Sequence, residues 1–319
     1  MNDHRRPVLA IHAALIAVLA GLQVVIPPFH HTLVARIMVL AAYATGYNLL
    51  LGYTGLMSLG HAMFFAAGMY GTGLPLLYLG LGAPQAVLIG VAASIVLSTA
   101  VGVLTLRTSR VSFLIVTLMF AQVFYLSTLY FNRFTLGDQG FVLSGHLHPI
   151  TIGPIRFALT DPAVRYNLAL ATFGGCLGLS LWLVRSPIGR VLVAIRENED
   201  RTRLLGYNPF AYKLLVLVIS GAVSGLCGSV YAVITSYVGA SFAAILYSIY
   251  PLLWTLLGGP GTTLGPLVGA AAMTYTVEVA SRFTSSYLIV VGGALVILVM
   301  RFPSGIVGGI RRRWAPWLP

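Results

Sequence analysis

The apolar runs of this chain repeatedly reach the roughly 20 residues that an α-helix needs to cross a bilayer. Ten runs follow one another, at 8–27, 33–51, 56–80, 84–106, 111–131, 164–184, 213–236, 243–257, 262–281 and 285–302. In lipid every backbone N–H and C=O must find a partner inside the protein, so runs of this kind predict a helical bundle. The chain therefore reads as an all-α integral membrane protein of about ten transmembrane helices, one domain over 1–319. The first run is longer than the about 7–15-residue core of a signal peptide, so Arg5 and Arg6 precede a retained helix.

Only 8% of the residues are charged, against about 25% in a soluble domain. The net charge of +12 follows membrane topology. If the amino terminus is cytoplasmic, 14 of the 19 basic residues lie on that side, as the positive-inside rule requires. Both termini and loop 185–212 are then cytoplasmic, and the Gly-, Pro- and His-rich loop 132–163 is periplasmic. This removes nucleic acid as the explanation of the positive charge. Cys176 and Cys227 lie within apolar runs and read as small buried hydrophobes. His146 and His148 have no further ligands nearby, so they read as loop surface, and no metal is expected.

Two segments are expected to be interrupted helices. They are "GYTGLMSLGHAMFFAAGMYGTGLP" (52–75) and "LLGGPGTTLGPLVGAA" (256–271), one in each half of the chain. Glycine and proline weaken helix continuity, and backbone freed at membrane depth must face protein or a water-filled path. Paired breaks point to a translocation pathway. The competing reading is that small residues simply let helices pack closely. Asn48 and His61 either line the route or hydrogen-bond the breaks. Glu278 sits near a span end with Arg282 four residues on, which suggests a structural pair.

The stretch "AIRENEDRTRLLG" (194–206) concentrates three of the seven carboxylates in a chain that avoids charge. Apolar Val191, Leu192, Ile195, Leu204 and Leu205 alternate with charged neighbours, predicting a short amphipathic helix over 190–205. Glu197–Arg201 and Glu199–Arg203 are spaced as acid-first i, i+4 pairs, and Gly206 then Pro209 supply the stop. Paired charges, an apolar face and a stop together suit a surface that docks a soluble partner.

The segment "GRVLVAIRENEDRTRLLGYNPFAYKLLVLVISGAVSGLCGSVYA" (189–232), with 46–73 and 256–271, resembles the permease subunits of branched-chain amino-acid ABC importers, the LivM type. The resemblance runs over about residues 33–305. It implies a type II ABC importer permease fold with glycine-broken helices in each half. It also implies that a cytoplasmic helix bearing Arg190, Arg196, Glu197, Asn198, Glu199, Arg203 and Gly206 couples to an ATPase subunit. Arg201 and Thr202 stand where many such importers carry small residues. The implied pathway residues are Asn48, Gly55, Gly60, His61, Gly68, Gly258, Gly259, Gly261 and Gly265. Arg133, Asp138 and Arg156 are the implied contacts for a periplasmic substrate-binding protein. The implied partners are a second, LivH-like permease, two ATPase subunits, that binding protein and membrane lipid.

The chain holds one lysine, Lys213, with no glycine before it, so it lacks the P-loop motif that cradles nucleotide phosphates. ATP would therefore bind on partner subunits, with no cofactor on this chain. No nucleophile, base or metal constellation points to an enzyme. Two alternatives stay open: a urea or amide permease of the same architecture, and an ion-coupled secondary transporter, which would need carboxylates within its spans.

Overall fold

The structure, a computed structural model, describes residues 5–108, 110–152, 155–283 and 304–314, with isolated helical positions between 289 and 301. The tenth expected run, 285–302, lies outside the described residues apart from those positions. The helices are α1 (Arg5–Val25), α2 (Pro28–Thr54), α3 (His61–Tyr78), α4 (Ala83–Thr105), α5 (Arg110–Tyr130) and α6 (Asn132–Thr135). They continue with α7 (Pro162–Arg185), α8 (Pro187–Glu197), α9 (Glu199–Leu204), α10 (Pro209–Thr235), α11 (Leu246–Gly258), α12 (Gly265–Phe283) and α13 (Ile306–Trp314). Proline in the first turn of α2, α4, α7, α8 and α10 supplies preset φ where the missing N–H is not needed.

Among the described residues six helices, α1, α2, α4, α5, α7 and α10, are long and apolar enough by themselves to cross a membrane. The most hydrophobic parts of α2 and α10 are 78% and 67% buried, against 11% for α1 and 22% for α5. So α2 and α10 form the centre, and α1 and α5 turn most of their surface outward, as a lipid-facing helix must. Between α4 and α10, α3 is buried along most of its length.

Close backbone contact builds that centre. A Cβ at Gly68 would overlap the Gly225 carbonyl, and one at Gly228 would overlap the Phe65 carbonyl. Across the same seam, Gly225 and Gly221 receive Ser94 and Ser98 of α4. Lipid tails are as apolar as leucine, so such close packing supplies the attraction that water exclusion supplies elsewhere. Gly68 is thus a packing residue of the α3–α4–α10 seam. Cys176 and Cys227 are buried as free thiols in the main core cluster.

Three expected boundaries change. The third run, 56–80, becomes a helix only from His61, and 55–60 is non-helical. The run at 243–257 becomes α11, whose 13 residues extend about 20 Å. That is short of the ~30 Å hydrocarbon core. Its first turn already lies within the bundle, where the Tyr43 hydroxyl donates to the Tyr247 carbonyl (2.8 Å) and the Ala62 amide to Ser248 Oγ (2.8 Å). Loop 132–163 is not featureless. Strand β1 (Phe141–Val142) pairs antiparallel with β4 (Tyr237–Val238), and β2 (Ile150–Ile152) forms a hairpin with β3 (Ile155–Phe157). The β1–β4 pair joins the two loops expected on one face of the membrane.

Leucine at Gly68 should therefore disrupt the seam, whereas leucine at Gly178, where a Cβ meets nothing within 4 Å, should be tolerated. Overpacking of this kind costs about 1–3 kcal/mol or more. Gly68→Leu is expected to lose thermal stability and monodispersity in detergent, measured beside Gly178→Leu.

Candidate functional site

The loops at one end of the bundle carry most of its arginines, and the surface helices α8 and α9 lie there. Ser186 Oγ accepts from the Gly189 amide (3.3 Å) to cap α8. Val191, Leu192 and Ile195 turn their apolar face inward and are buried against the bundle. The expected single helix over 190–205 is instead two. Asn198 adopts φ −157°, ψ 105°, ends α8, and caps α9 by accepting from the Arg201 amide (2.9 Å). A side chain that caps so well competes with helix continuation. The break changes the charge pairing too. Arg203 keeps Glu199 (3.8 Å) and also reaches Asp200 (3.7 Å). Glu197 and Arg201, now on different helices, form no ion pair among the described residues.

The tightest ion pair here was not anticipated. Lys213, nearly buried in α10, meets Glu199 at 2.5 Å and fastens α9 to the bundle. Being the lone lysine in an arginine-rich chain was its only sequence signal. Thr202 is buried and donates its hydroxyl to the Asn198 carbonyl (2.9 Å). At the end of α9 Leu204 is 88% exposed, and just beyond it Leu205 is 70% and Tyr207 44% exposed. Gly206, at φ +88°, ends the helix between them. A cavity of about 340 Å³ beside them is lined by Arg190, Ala194, Thr202, Leu205, Tyr207 and others.

Under these helices the two glycine breaks meet. Helix α2 ends at Gly55, φ +73°, where the Gly55 and Leu56 amides donate back to Leu51 and Leu50. That is the left-handed cap that glycine adopts without strain. The second break follows α11, with Gly259 at φ +122° and Gly261 at φ +73°. Fully buried Asn48 joins the two: its Nδ2 donates to the Thr262 carbonyl (2.9 Å) and its Oδ1 accepts from the Gly261 amide (2.9 Å). A Cβ at Gly52 would overlap Asn48 Oδ1 and the Gly261 amide, so the backbones touch there. A Cβ at Gly258 would likewise overlap the Gly265 carbonyl, which keeps this second break compact. Arg311 of α13 donates to the Gly261 carbonyl (2.9 Å), a contact without a sequence signal.

His61 opens α3, fully buried, with Nε2 2.8 Å from Ser220 Oγ. The Ser220 hydroxyl donates to the Gly46 carbonyl (2.7 Å), so His61 Nε2 is the donor to Ser220. Its Nδ1 has no partner among the described residues. A Cβ at Gly60 would come within 2.8 Å of the Thr117 carbonyl, so this glycine sets the approach of α5. At the other end of the bundle, Arg133 and Asp138 are exposed. Arg156 stands opposite Thr151 in the β2–β3 hairpin, and its side chain lies outside the described residues. The expected Glu278–Arg282 pair forms at 3.1 Å on an exposed part of α12. No group of three or more potential metal ligands occurs among the described residues. The arrangement offers hydrogen bonds across the two breaks, and among the described residues no nucleophile stands beside an acceptor base.

Asn48→Ala should strand the Gly261 amide and the Thr262 carbonyl, at a cost of about 1–3 kcal/mol for each. A lowered unfolding midpoint in detergent, with Asn48→Asp falling between alanine and wild type, is the expected result.

The family model described as "Branched-chain amino acid transport system / permease component" matches residues 29–300. The chain is 28% identical over 295 residues to the high-affinity branched-chain amino acid transport system permease protein LivM of Salmonella typhimurium, covering 85% of this chain and 68% of that one. It is 34% identical over 148 residues to BraD of Pseudomonas aeruginosa, 44% of this chain and 46% of that one. With LivH of Escherichia coli K12 it shares 28% identity over 159 residues, 48% of this chain and 50% of that one. No solved structure matches. With its apolar helices, its joined breaks and a family match over most of its length, the chain belongs to the permease components of branched-chain amino acid transport systems, and is of the LivM type.

Proposed function

We propose that this chain is one permease subunit of an ATP-driven importer of branched-chain or related amino acids in a bacterial inner membrane. Its relatives' names supply the substrate class, and the lack of a P-loop is consistent with ATP hydrolysis on separate subunits. In this reading the basic end is cytoplasmic, both termini are on that side, and α11, short as it is, counts with the run at 285–302 among ten passes. A LivH-like chain is the second permease, two ATPase subunits sit below, and a periplasmic binding protein delivers substrate to the Arg133–Asp138 end.

The observation that carries the reading is the exposed Leu204, Leu205 and Tyr207 beside Arg190, Glu197 and Arg203. Large apolar side chains that stand in water at the tip of a charged surface helix suit a cleft on a soluble partner. Glu199 is engaged by Lys213 and holds α9 in place, so it supports docking from within. Closure of the ATPases would push α8 and α9 as a unit. The breaks at 55–60 and 259–264 are where the bundle yields, since no continuous helix ladder stiffens them.

Leu204→Asp with Leu205→Asp should leave the permease inserted and the Lys213–Glu199 pair intact. Each buried anchor lost costs about 2 kcal/mol or more of association. Co-purification of ATPase subunits and ATP-dependent uptake of radiolabelled leucine should both collapse; unchanged uptake would sink the docking surface. Uptake driven by an ion gradient without ATP would favour a secondary transporter instead.

A further inference from the structure

We propose that Arg196 is a latch between the surface helices and the two joined glycine breaks, transmitting movement rather than binding the ATPase. The proposal rests on the importer reading above. Arg196 occupies the last turn of α8, and its side chain leaves that helix toward the bundle. A guanidinium nitrogen, Nη1, donates to the Gly52 carbonyl. That carbonyl belongs to the last turn of α2, where the helix supplies it no amide partner, and the negative end of the helix dipole favours a cation.

Two glycines make room for this one side chain. A Cβ on Gly55 would lie 2.8 Å from Arg196 Cγ, and one on Gly261 would lie 3.3 Å from Nη1. So the stem crosses the first break and the guanidinium stands over the second. Asn48 then continues the connection, from one turn above Gly52 to Gly261 and Thr262. A push on α8 therefore has an unbroken route to both breaks through Arg196, Gly52, Asn48 and Gly261.

The chemistry suits a connection that opens and closes. The Arg196 acceptor is a backbone carbonyl and Arg196 is largely exposed, so releasing it leaves no charge stranded in lipid. The Lys213–Glu199 pair is the opposite case. It holds a nearly buried lysine, and that is a fixed attachment.

The test uses the assembled transporter in vesicles, with Arg196→Gln and Arg196→Lys. Both keep the buried Val191, Leu192 and Ile195 face of α8, so the permease should insert and ATPase subunits should co-purify as in wild type. Arg196→Gln should lower uptake by about tenfold, the loss expected for one hydrogen bond made by a charged group. ATP hydrolysis should persist, so the two become uncoupled. Arg196→Lys, which keeps charge but loses the planar fork, should fall between. Wild-type uptake in Arg196→Gln would overturn the latch. Loss of ATPase co-purification would also overturn it, by making Arg196 a docking contact. A wild-type transporter without ATP-dependent uptake would instead sink the importer reading itself, and the latch with it.

Discussion

Every part of this molecule depends on how backbone polar groups are satisfied where helices stop inside an apolar medium. Helix α2 ends at Gly55, one turn beyond buried Gly52, and α11 ends at buried Gly258. An unpaired amide or carbonyl there costs several kcal/mol. The solution is mutual: each break lies against the other, and Asn48 presents one donor and one acceptor to the same two residues. A single amide side chain therefore makes two interruptions into one unit. Arg196 and Arg311 treat the remaining carbonyls in the same way, from the surface and from the carboxyl-terminal side.

This explains a division of labour among the glycines. Those at 68, 221, 225 and 228 allow helices to touch along their length and make the centre rigid. Those at 52, 55 and 261 allow backbone or a long side chain to pass across an end: Gly52 sits in the last turn of α2, and Gly55 and Gly261 lie in the non-helical breaks. The same residue type thus serves both the contacts between helices and the places where helices end.

The surface helices show a related economy. Their inward face is apolar and packed, and one ion pair, Lys213–Glu199, fastens α9 below it. Asn198 separates α8 from α9 without a disordered linker, because its side chain replaces the hydrogen bond the turn gives up. What remains outward is Leu204, Leu205, Tyr207 and a fringe of charge. The part that is held and the part that is offered are two faces of one short segment.

Much of this was legible in the amino-acid order. Run length and charge bias gave the helical membrane class, and the charge cluster at 196–203 gave the surface helices, because both follow from local composition. The two glycine segments were also visible, as was Asn48 as a candidate to hydrogen-bond them. Periodicity extended one helix through Asn198, since an amphipathic pattern does not register that a side chain can cap better than the backbone continues. A hydrophobic count likewise took 243–257 for a full span, although the chain starts that helix inside the bundle. Only the tertiary structure decided which glycines pack helix on helix and which meet at the breaks, that Lys213 pairs with the acidic cluster, and that Arg196 reaches two breaks more than 60 residues away from it in one direction and over 130 in the other. Sequence records which polar groups will need partners. Which distant residue supplies them is settled when helices far apart in the chain come to rest side by side.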